Sequence, residues 1–239
     1  MTKYPDFRDL PAGCTKPTLG LGKKTEEEEP VHEHEEFTAD DYAHIVTAQR
    51  VEKDRFFEYH PSSPLTPEQR EKFNGLAYYP PDLTLRFELP LERHATPEPV
   101  TIQTSTGHEQ VYRKIGQVRF EVDGQPATLQ VYEPEGGGDY FVPFRDATSG
   151  KETYGAGRYL EPPPLERDRL LVDFNLAYNP YCTYNEPPSL AARAGREPMV
   201  WTCPLPPLEN WLKVPIRAGE KQPTGEWVEH EEPPDQAAE

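Results

Sequence analysis

Hydrophobic residues with helical spacing predict two helices near the start of the ordered part of the chain. In the first helix, which Thr38 can cap, apolar side chains recur on one face as far as about Phe57. The step His60-Pro61 then ends it, because the residue before a proline avoids helical backbone. A second, short helix follows Thr66, with proline at its first position and glutamine three residues after the cap.

From Tyr78 onward, apolar and polar residues alternate, which is typical of strands with one buried face. The apolar runs lie at residues 83–91, 100–104, 118–122, 129–131, 140–144, 170–174 and 212–216. Asp123-Gly124 predicts a hairpin, and Gln125-Pro126 should lengthen its loop. Short strands joined by Gly and Pro turns favour a mainly β fold. We expect a curved antiparallel sheet that forms a sandwich or barrel, with the two N-terminal helices packed on it or covering one of its edges.

Charge divides the chain into one domain between two acidic tails. The 239 residues carry a formal net charge of -17, of which -4 falls on residues 1–36 and -6 on residues 220–239. Such acidic segments cannot bury enough apolar surface to offset the entropy of the chain, so both are expected to be disordered. The predicted domain is therefore residues 37–219, which is only mildly acidic.

Composition excludes several classes of protein. No apolar run approaches the ~20 residues of a membrane helix, and the first residues contain no apolar signal segment. The 42 acidic residues outnumber the 25 basic ones, and this excess repels nucleic-acid phosphates. We therefore expect a cytoplasmic protein that binds neither nucleic acid nor membrane and that needs no cofactor or metal. The oligomeric state stays open.

Three cysteines are too few for a disulfide scaffold. Cys14 lies in the first acidic segment, whereas Cys182 and Cys203 lie in the predicted domain. No histidine occurs between His108 and His230, so a zinc site would need ligands from distant parts of the chain. Two reduced, partly buried thiols are the favoured interpretation. A disulfide between Cys182 and Cys203, a zinc site and a nucleophilic thiol are the alternatives.

One polar segment, residues 144–160, combines basic side chains with glycines that permit close approach of the backbone. Its candidate ligand-binding residues are Arg145, Lys151, Tyr154 and Arg158. Guanidinium groups donate two parallel hydrogen bonds to a carboxylate or phosphate, so the segment suits an anionic ligand. The plainer alternative is a long hairpin loop with ion pairs on its surface.

A second polar segment, residues 173–185, begins where an apolar strand ends. Asp173 occupies that strand end, a position at which many folds present functional groups. Asn175, Tyr178 and Asn179 follow it with neutral donors and acceptors. The alternative is a structural corner, in which an Asx turn reverses the chain and the tyrosines pack.

Four stretches of the sequence resemble a known bacterial and archaeal family of unknown function, the DUF1684 family. They are residues 75–82 (GLAYYPPD), 141–159 (FVPFRDATSGKETYGAGRY), 173–182 (DFNLAYNPYC) and 203–210 (CPLPPLEN). The resemblance covers roughly residues 40–220, and motifs of this length are specific. The family has no established activity, so the resemblance implies membership without implying a function.

The leading hypothesis is a small-molecule binding β domain in which both polar segments line one site for an anionic ligand. The predicted lining residues are Arg145, Lys151, Tyr154, Arg158, Asp173, Asn175, Tyr178 and Asn179. One rival hypothesis is a hydrolase with Asp173 or Glu209 as general base and with Tyr178 or Cys182 as acid or nucleophile. Another rival is a structural protein without a ligand.

Overall fold

The computed structural model describes residues 38–186 and 188–228, and the structural statements below refer to these residues. The predicted tail at residues 1–36 lies outside them, as do residues 229–239. The described part of the chain is mainly β, with antiparallel sheets and few helices.

Three helices accompany the sheets in the described part of the chain. They are α1 (Ala39–Tyr59), α2 (Pro67–Lys72) and α3 (Pro188–Arg193). Both α1 and α2 begin with a capping box, in which Thr38 and Thr66 accept the backbone hydrogen bond. The buried side of α1 carries Tyr42, Val46 and Phe57. None of these helices combines the length and the apolar character that crossing a membrane requires.

The strands form small, separate antiparallel sheets. They are β1 (Arg86–Pro90), β2 (Glu92–Gln103), β3 (Glu109–Val122), β4 (Gln125–Pro134), β5 (Val142–Phe144), β6 (Arg158–Leu160), β7 (Pro164–Leu165) and β8 (Arg169–Asp173). Among the described residues, the strand orders are β1-β8-β7, β2-β3-β4 and β5-β6. These sheets do not close into a barrel, so the mainly β antiparallel class is confirmed while the predicted sandwich or barrel is not. Prolines are frequent in the segments between them, and a proline cannot donate a ladder hydrogen bond.

The β3–β4 hairpin has a tighter turn than the sequence predicts. Asp123 and Gly124 both have positive φ angles, 50° and 74°, and Val122 pairs directly with Gln125. The loop therefore has two residues, and Pro126 already belongs to β4. Two positive φ angles in succession match the twist of a hairpin, which explains why no longer loop is needed.

Two predicted strands also differ from the structure. Leu83–Leu85 is a turn of 3-10 helix, so β1 begins only at Arg86. Residues 212–216 form no regular strand, although Leu212 N donates to the Arg145 carbonyl at 2.7 Å. Pro215 has no N–H to donate and interrupts any longer ladder.

Two groups of buried residues lie among these elements. The main core is aliphatic and aromatic, and it gathers side chains from β1, β3, β4, β5, β6 and β8. A second group, called here the aromatic cluster, consists of Ile102, Tyr112, Tyr132, Phe141, Tyr159, Cys182 and Cys203. Tyr154, Tyr178, Tyr181 and Trp201 pack against it partly buried. The two cysteines are thus enclosed by aromatic rings.

The folded chain continues past residue 219, where the sequence analysis placed the start of an acidic tail. The side chains of Glu220 and Trp227 are both only 1% exposed. Trp227 donates its indole N–H to Asn74 Oδ1 at 3.1 Å and packs on the edge of Phe73. The ordered part of the chain therefore extends beyond the predicted boundary, because the average charge of a segment does not reveal one large buried side chain such as that of Trp227.

Candidate functional site

The two polar segments are neighbours in the fold. Tyr159 and Tyr178 form an antiparallel bridge, in which each backbone N–H donates to the carbonyl of the other residue, at 2.9 and 3.1 Å. The contacts of their side chains decide whether the segments also share a site.

The Arg158 side chain is buried and bonded inside the protein. Its guanidinium donates to Asp146 Oδ2 at 2.9 Å, and both side chains are only 1% exposed. It also donates to the carbonyl oxygens of Ile216, Ala218 and Glu220. Its Nε is buried without a hydrogen-bond partner. This geometry gives Arg158 a structural role, in which it fastens the C-terminal segment to β6.

Helix α1 covers the strand end at which Asp173 lies. Tyr42 donates its hydroxyl to the Asp173 carboxylate, at 2.7 Å from each oxygen. Asn175 donates its backbone N–H to the same carboxylate at 3.0 Å, and its side-chain amide exchanges two hydrogen bonds of 2.7 Å with the backbone of Asp82. Burial raises the pKa of Tyr42, and the hydrogen bond to Asp173 raises it further. Asp173 and Asn175 therefore connect elements of the fold.

Asn179 belongs to a closed polar cluster around the buried Glu220 carboxylate. The Asn179 backbone N–H donates to Glu220 at 2.7 Å, and its side chain donates to the Lys221 carbonyl at 2.9 Å. Lys53 from α1 forms an ion pair with Glu220, and Tyr184 donates its hydroxyl to the same carboxylate. The cluster joins α1 to the C-terminal segment and leaves Glu220 no exposed face.

The remaining predicted residues have separate environments. The Tyr178 hydroxyl donates to Glu161 at 2.8 Å, whereas the Tyr154 hydroxyl lies 3.9 Å from Cys182 Sγ in the aromatic cluster. Lys151 is exposed. The predicted side chains therefore occupy several places, and most of them are bonded within the protein. Arg145 is different.

Arg145 stacks on an exposed indole ring. Its guanidinium carbon lies 4.2 Å from the ring centroid of Trp211, which is 46% exposed. Among the described residues, the Arg145 side chain has no carboxylate and no hydrogen-bond acceptor as a partner. We call this pair the Arg145–Trp211 platform. A guanidinium held over a ring by this contact, with no acceptor beside it, still has N–H groups available to donate.

Charged residues beside the platform favour an anion. Lys213 is exposed two positions after Trp211 and has no ion-pair partner within the described ranges. The two acids nearest along the chain are already engaged: Asp146, next to Arg145, pairs with Arg158 at 2.9 Å. Glu209, two positions before Trp211, accepts from Tyr132 at 2.9 Å and lies 3.5 Å from Lys114. Positive charge is therefore locally unbalanced, although the chain as a whole is strongly acidic.

The fully buried Asn210 fixes the platform in place. Its side-chain amide donates to the carbonyls of Gln130 and Pro143 at 3.0 and 2.8 Å, and its Oδ1 accepts from Gln130 N at 2.7 Å. Its own carbonyl accepts from Arg145 N at 3.0 Å. Asn210 thus connects β4, β5 and the platform, and a site fixed to strands in this way is pre-organised.

Gly157 provides the space beneath the platform. A Cβ atom there would lie 2.5 Å from the Phe144 carbonyl oxygen, 2.7 Å from Pro206 Cγ and 3.0 Å from Arg145 Cγ. Its φ of +107° also disfavours any other residue. Pro206 in turn accepts the Trp211 indole N–H at 3.0 Å. The glycine therefore lets the stem of Arg145 and the support of Trp211 pack closely.

Comparison with known proteins identifies the family to which this chain belongs. A family model described as "Protein of unknown function (DUF1684)" matches residues 71–221. The chain belongs to the DUF1684 family. An uncharacterized protein of Haloarcula marismortui, whose structure was solved in solution by NMR, is 38% identical to it. That match covers 76% of this chain and 95% of the other, with a TM-score of 0.55. No curated protein matches the chain.

Within this DUF1684 domain, sequence reasoning missed the residues that build the platform. It assigned no ligand-binding role to Trp211, Asn210 or Lys213. A usable signal was present, since Asn210-Trp211 follows a proline-rich stretch in which a large aromatic residue has little reason to be buried. Among the described residues, no group of three or more His, Cys, Asp or Glu side chains is arranged to hold a metal ion.

Proposed function

We propose that this DUF1684 domain binds a small organic anion on the Arg145–Trp211 platform. One observation carries the proposal: a guanidinium without an acidic partner lies on an exposed indole that is anchored from below. The ligand class follows from the two groups. A carboxylate or phosphate would accept from the edge of the guanidinium, and a planar apolar part would contact the exposed surface of Trp211.

This proposal narrows the predicted site to its accessible basic residues. Arg145 contacts the anion directly, while the exposed Lys213, two positions after Trp211, contributes positive charge. Buried arginines are ordinarily matched by acids, as Arg158 is by Asp146. A half-buried arginine that is pre-oriented and unpaired, as Arg145 is, is instead available to a ligand, and it loses little conformational entropy on binding.

The hydrolase hypothesis has less support. The Asp173 carboxylate accepts hydrogen bonds from Tyr42 and Asn175, and Glu209 accepts one from Tyr132. A general base needs a free lone pair aimed at a substrate proton, and the buried Asp173 carboxylate is committed to the fold. For the location of the protein we propose the cytoplasm, and the free thiols of Cys182 and Cys203 support this.

The binding proposal is tested with three probes on the isotope-labelled full chain: phenyl phosphate, benzoate and inorganic phosphate. Its three tryptophans give three indole N–H signals, and Trp211→Phe identifies the signal of Trp211. We expect phenyl phosphate and benzoate to shift that signal saturably, with inorganic phosphate weaker because it has no ring. The signals of the buried Trp227 and of Trp201 should stay in place.

Arg145→Gln removes the charge and keeps a polar side chain. It should weaken binding of phenyl phosphate by about tenfold or more, since a hydrogen bond to a charged group contributes about 1.5–3 kcal/mol. Arg113→Gln is the matched control, because Arg113 is exposed on β3 and pairs with Glu133. The proposal is refuted if no probe moves the Trp211 signal, or if Arg145→Gln binds as well as the unmodified chain.

A further inference from the structure

The two cysteines of the aromatic cluster come from separate segments that the fold brings into contact. Cys182 lies in the 3-10 turn Tyr181–Tyr184, and Cys203 lies in the extended segment that follows α3. The Cys182 backbone N–H donates to Cys203 Sγ at 3.3 Å. Both thiols are free.

The end of β2 holds the Cys203 segment in this position. Ser105 N donates to the Cys203 carbonyl at 2.8 Å, and Cys203 N donates to Ser105 Oγ at 3.1 Å. Leu205 N continues the pairing with a 2.7 Å bond to the Gln103 carbonyl. The backbone on the Cys203 side is therefore fixed, and the contact between the thiols follows from the fold.

The surroundings distinguish the two thiols. Hydrogen bonding with Cys203 lowers the pKa of Cys182, whereas burial raises it. Hydrogen bonds with Ser105 and Tyr154 lower the pKa of Cys182 further. Hydrogen bonding with Cys182, together with burial, raises the pKa of Cys203. These two directions favour Cys182 as the thiol that reacts first, although the Cys182 backbone N–H that donates to Cys203 Sγ acts in the opposite sense. The two residues are 8% and 7% exposed, so only a small reagent reaches them.

We propose that Cys182 and Cys203 form a peroxide-reactive dithiol that closes to a disulfide. The co-reactant is a small hydroperoxide. The Cys182 thiolate attacks the terminal peroxide oxygen, the O–O bond breaks, and the leaving oxygen takes a proton and departs as water or an alcohol. Cys182 is then a sulfenic acid. The sulfur of Cys203 attacks it, a sulfur–sulfur bond forms, and the hydroxyl leaves with the Cys203 proton as a second water. Two thiols are oxidised by two electrons, and one peroxide is reduced.

This inference is independent of the anion-binding proposal, because neither thiol belongs to the Arg145–Trp211 platform. Tyr154 takes a positioning role, with its hydroxyl 3.9 Å from the Cys182 sulfur. Reduction by a small thiol would restore the dithiol, which suits a protein kept in a reducing compartment.

The experiment uses the full chain carrying Cys14→Ser, so that only the two clustered thiols remain. Folded protein is treated with hydrogen peroxide, and intact mass and non-reduced peptide maps are followed in time. We expect loss of two hydrogen atoms, a peptide that joins Cys182 to Cys203, and recovery of the original mass with dithiothreitol. The disulfide should form about tenfold faster in the folded chain than in urea, where the two cysteines are no longer held side by side.

Single variants assign the roles of the two thiols. In Cys203→Ser, a sulfenic acid should accumulate on Cys182 and be trapped by dimedone, whereas in Cys182→Ser the Cys203 thiol should stay unreacted. Tyr154→Phe should slow the first step while leaving the final disulfide the same. If a single variant fails to fold, the peptide map and the oxidation rate of the Cys14→Ser protein still test whether the two thiols form a disulfide. Oxidation no faster than in urea, or no peptide linking the two cysteines, overturns the proposal.

Discussion

Replacing Arg158 by leucine tests whether this residue holds the fold together or serves a ligand. The substitution removes four donated hydrogen bonds and leaves the Asp146 carboxylate buried without its cation. Removing one partner of a buried ion pair costs about 3–5 kcal/mol, because the remaining charge keeps its desolvation penalty. Domains are stable by only about 5–15 kcal/mol, so Arg158→Leu should be severely destabilised.

Urea unfolding followed by tryptophan fluorescence measures the change, since Trp227 is buried in the folded state. For a domain of this size, the melting temperature should also fall, by roughly 6–20 °C. Arg119→Leu is the matched control. Arg119 pairs with Glu92 at 3.0 Å on the surface, where its side chain is 64% exposed. Such pairs contribute about 0–1 kcal/mol, and its loss should hardly alter the midpoint.

A second variant separates the cost of the unpaired charge from other effects. Asp146→Leu combined with Arg158→Leu removes both charges, and it should be more stable than Arg158→Leu alone. If Arg158→Leu unfolds within about 1 kcal/mol of the unmodified chain, the structural role assigned to Arg158 is wrong. Ligand binding would then be the better explanation for its position.

Three further substitutions test other parts of the fold. Trp227→Ala should lower the free energy of unfolding, measured in urea, by about 3–5 kcal/mol. The same substitution in a solvated tail would leave that free energy unchanged. Tyr42→Phe should lower the free energy of unfolding by about 1–3 kcal/mol, because the Asp173 carboxylate at the end of β8 loses a hydrogen-bond donor. Tyr59→Phe is the control, since Tyr59 is 69% exposed, and it should leave the stability unchanged. Gly157→Ala should cost about 1–3 kcal/mol and alter the Trp211 fluorescence. Gly107→Ala has a similar positive φ with no atom within 4 Å of the added Cβ, so it should cost less; equal losses would contradict the crowding argument.

Local sequence patterns predicted those secondary-structure elements that are determined by interactions between residues close together in the chain. The cap at Thr38, the proline at the start of α2 and the turn at Asp123-Gly124 each act within a few residues, and their signals are visible along the chain. Alternation of apolar residues likewise indicated a mainly β chain. The motif stretches identified the DUF1684 family for the same reason, because they are contiguous.

The environment of each polar side chain required the tertiary structure. Arg145 and Arg158 look equivalent in sequence, yet one lies on an exposed indole and the other is bonded to Asp146 and to three carbonyls. The partners that make this difference, such as Trp211 and Ile216, are more than fifty residues away. Whether an arginine is free depends on distant acceptors, and no local pattern specifies which acceptors the folded chain will place beside it. Sequence alone therefore determined the kind of fold and the candidate chemistry, while long-range packing decided which of those groups face solvent.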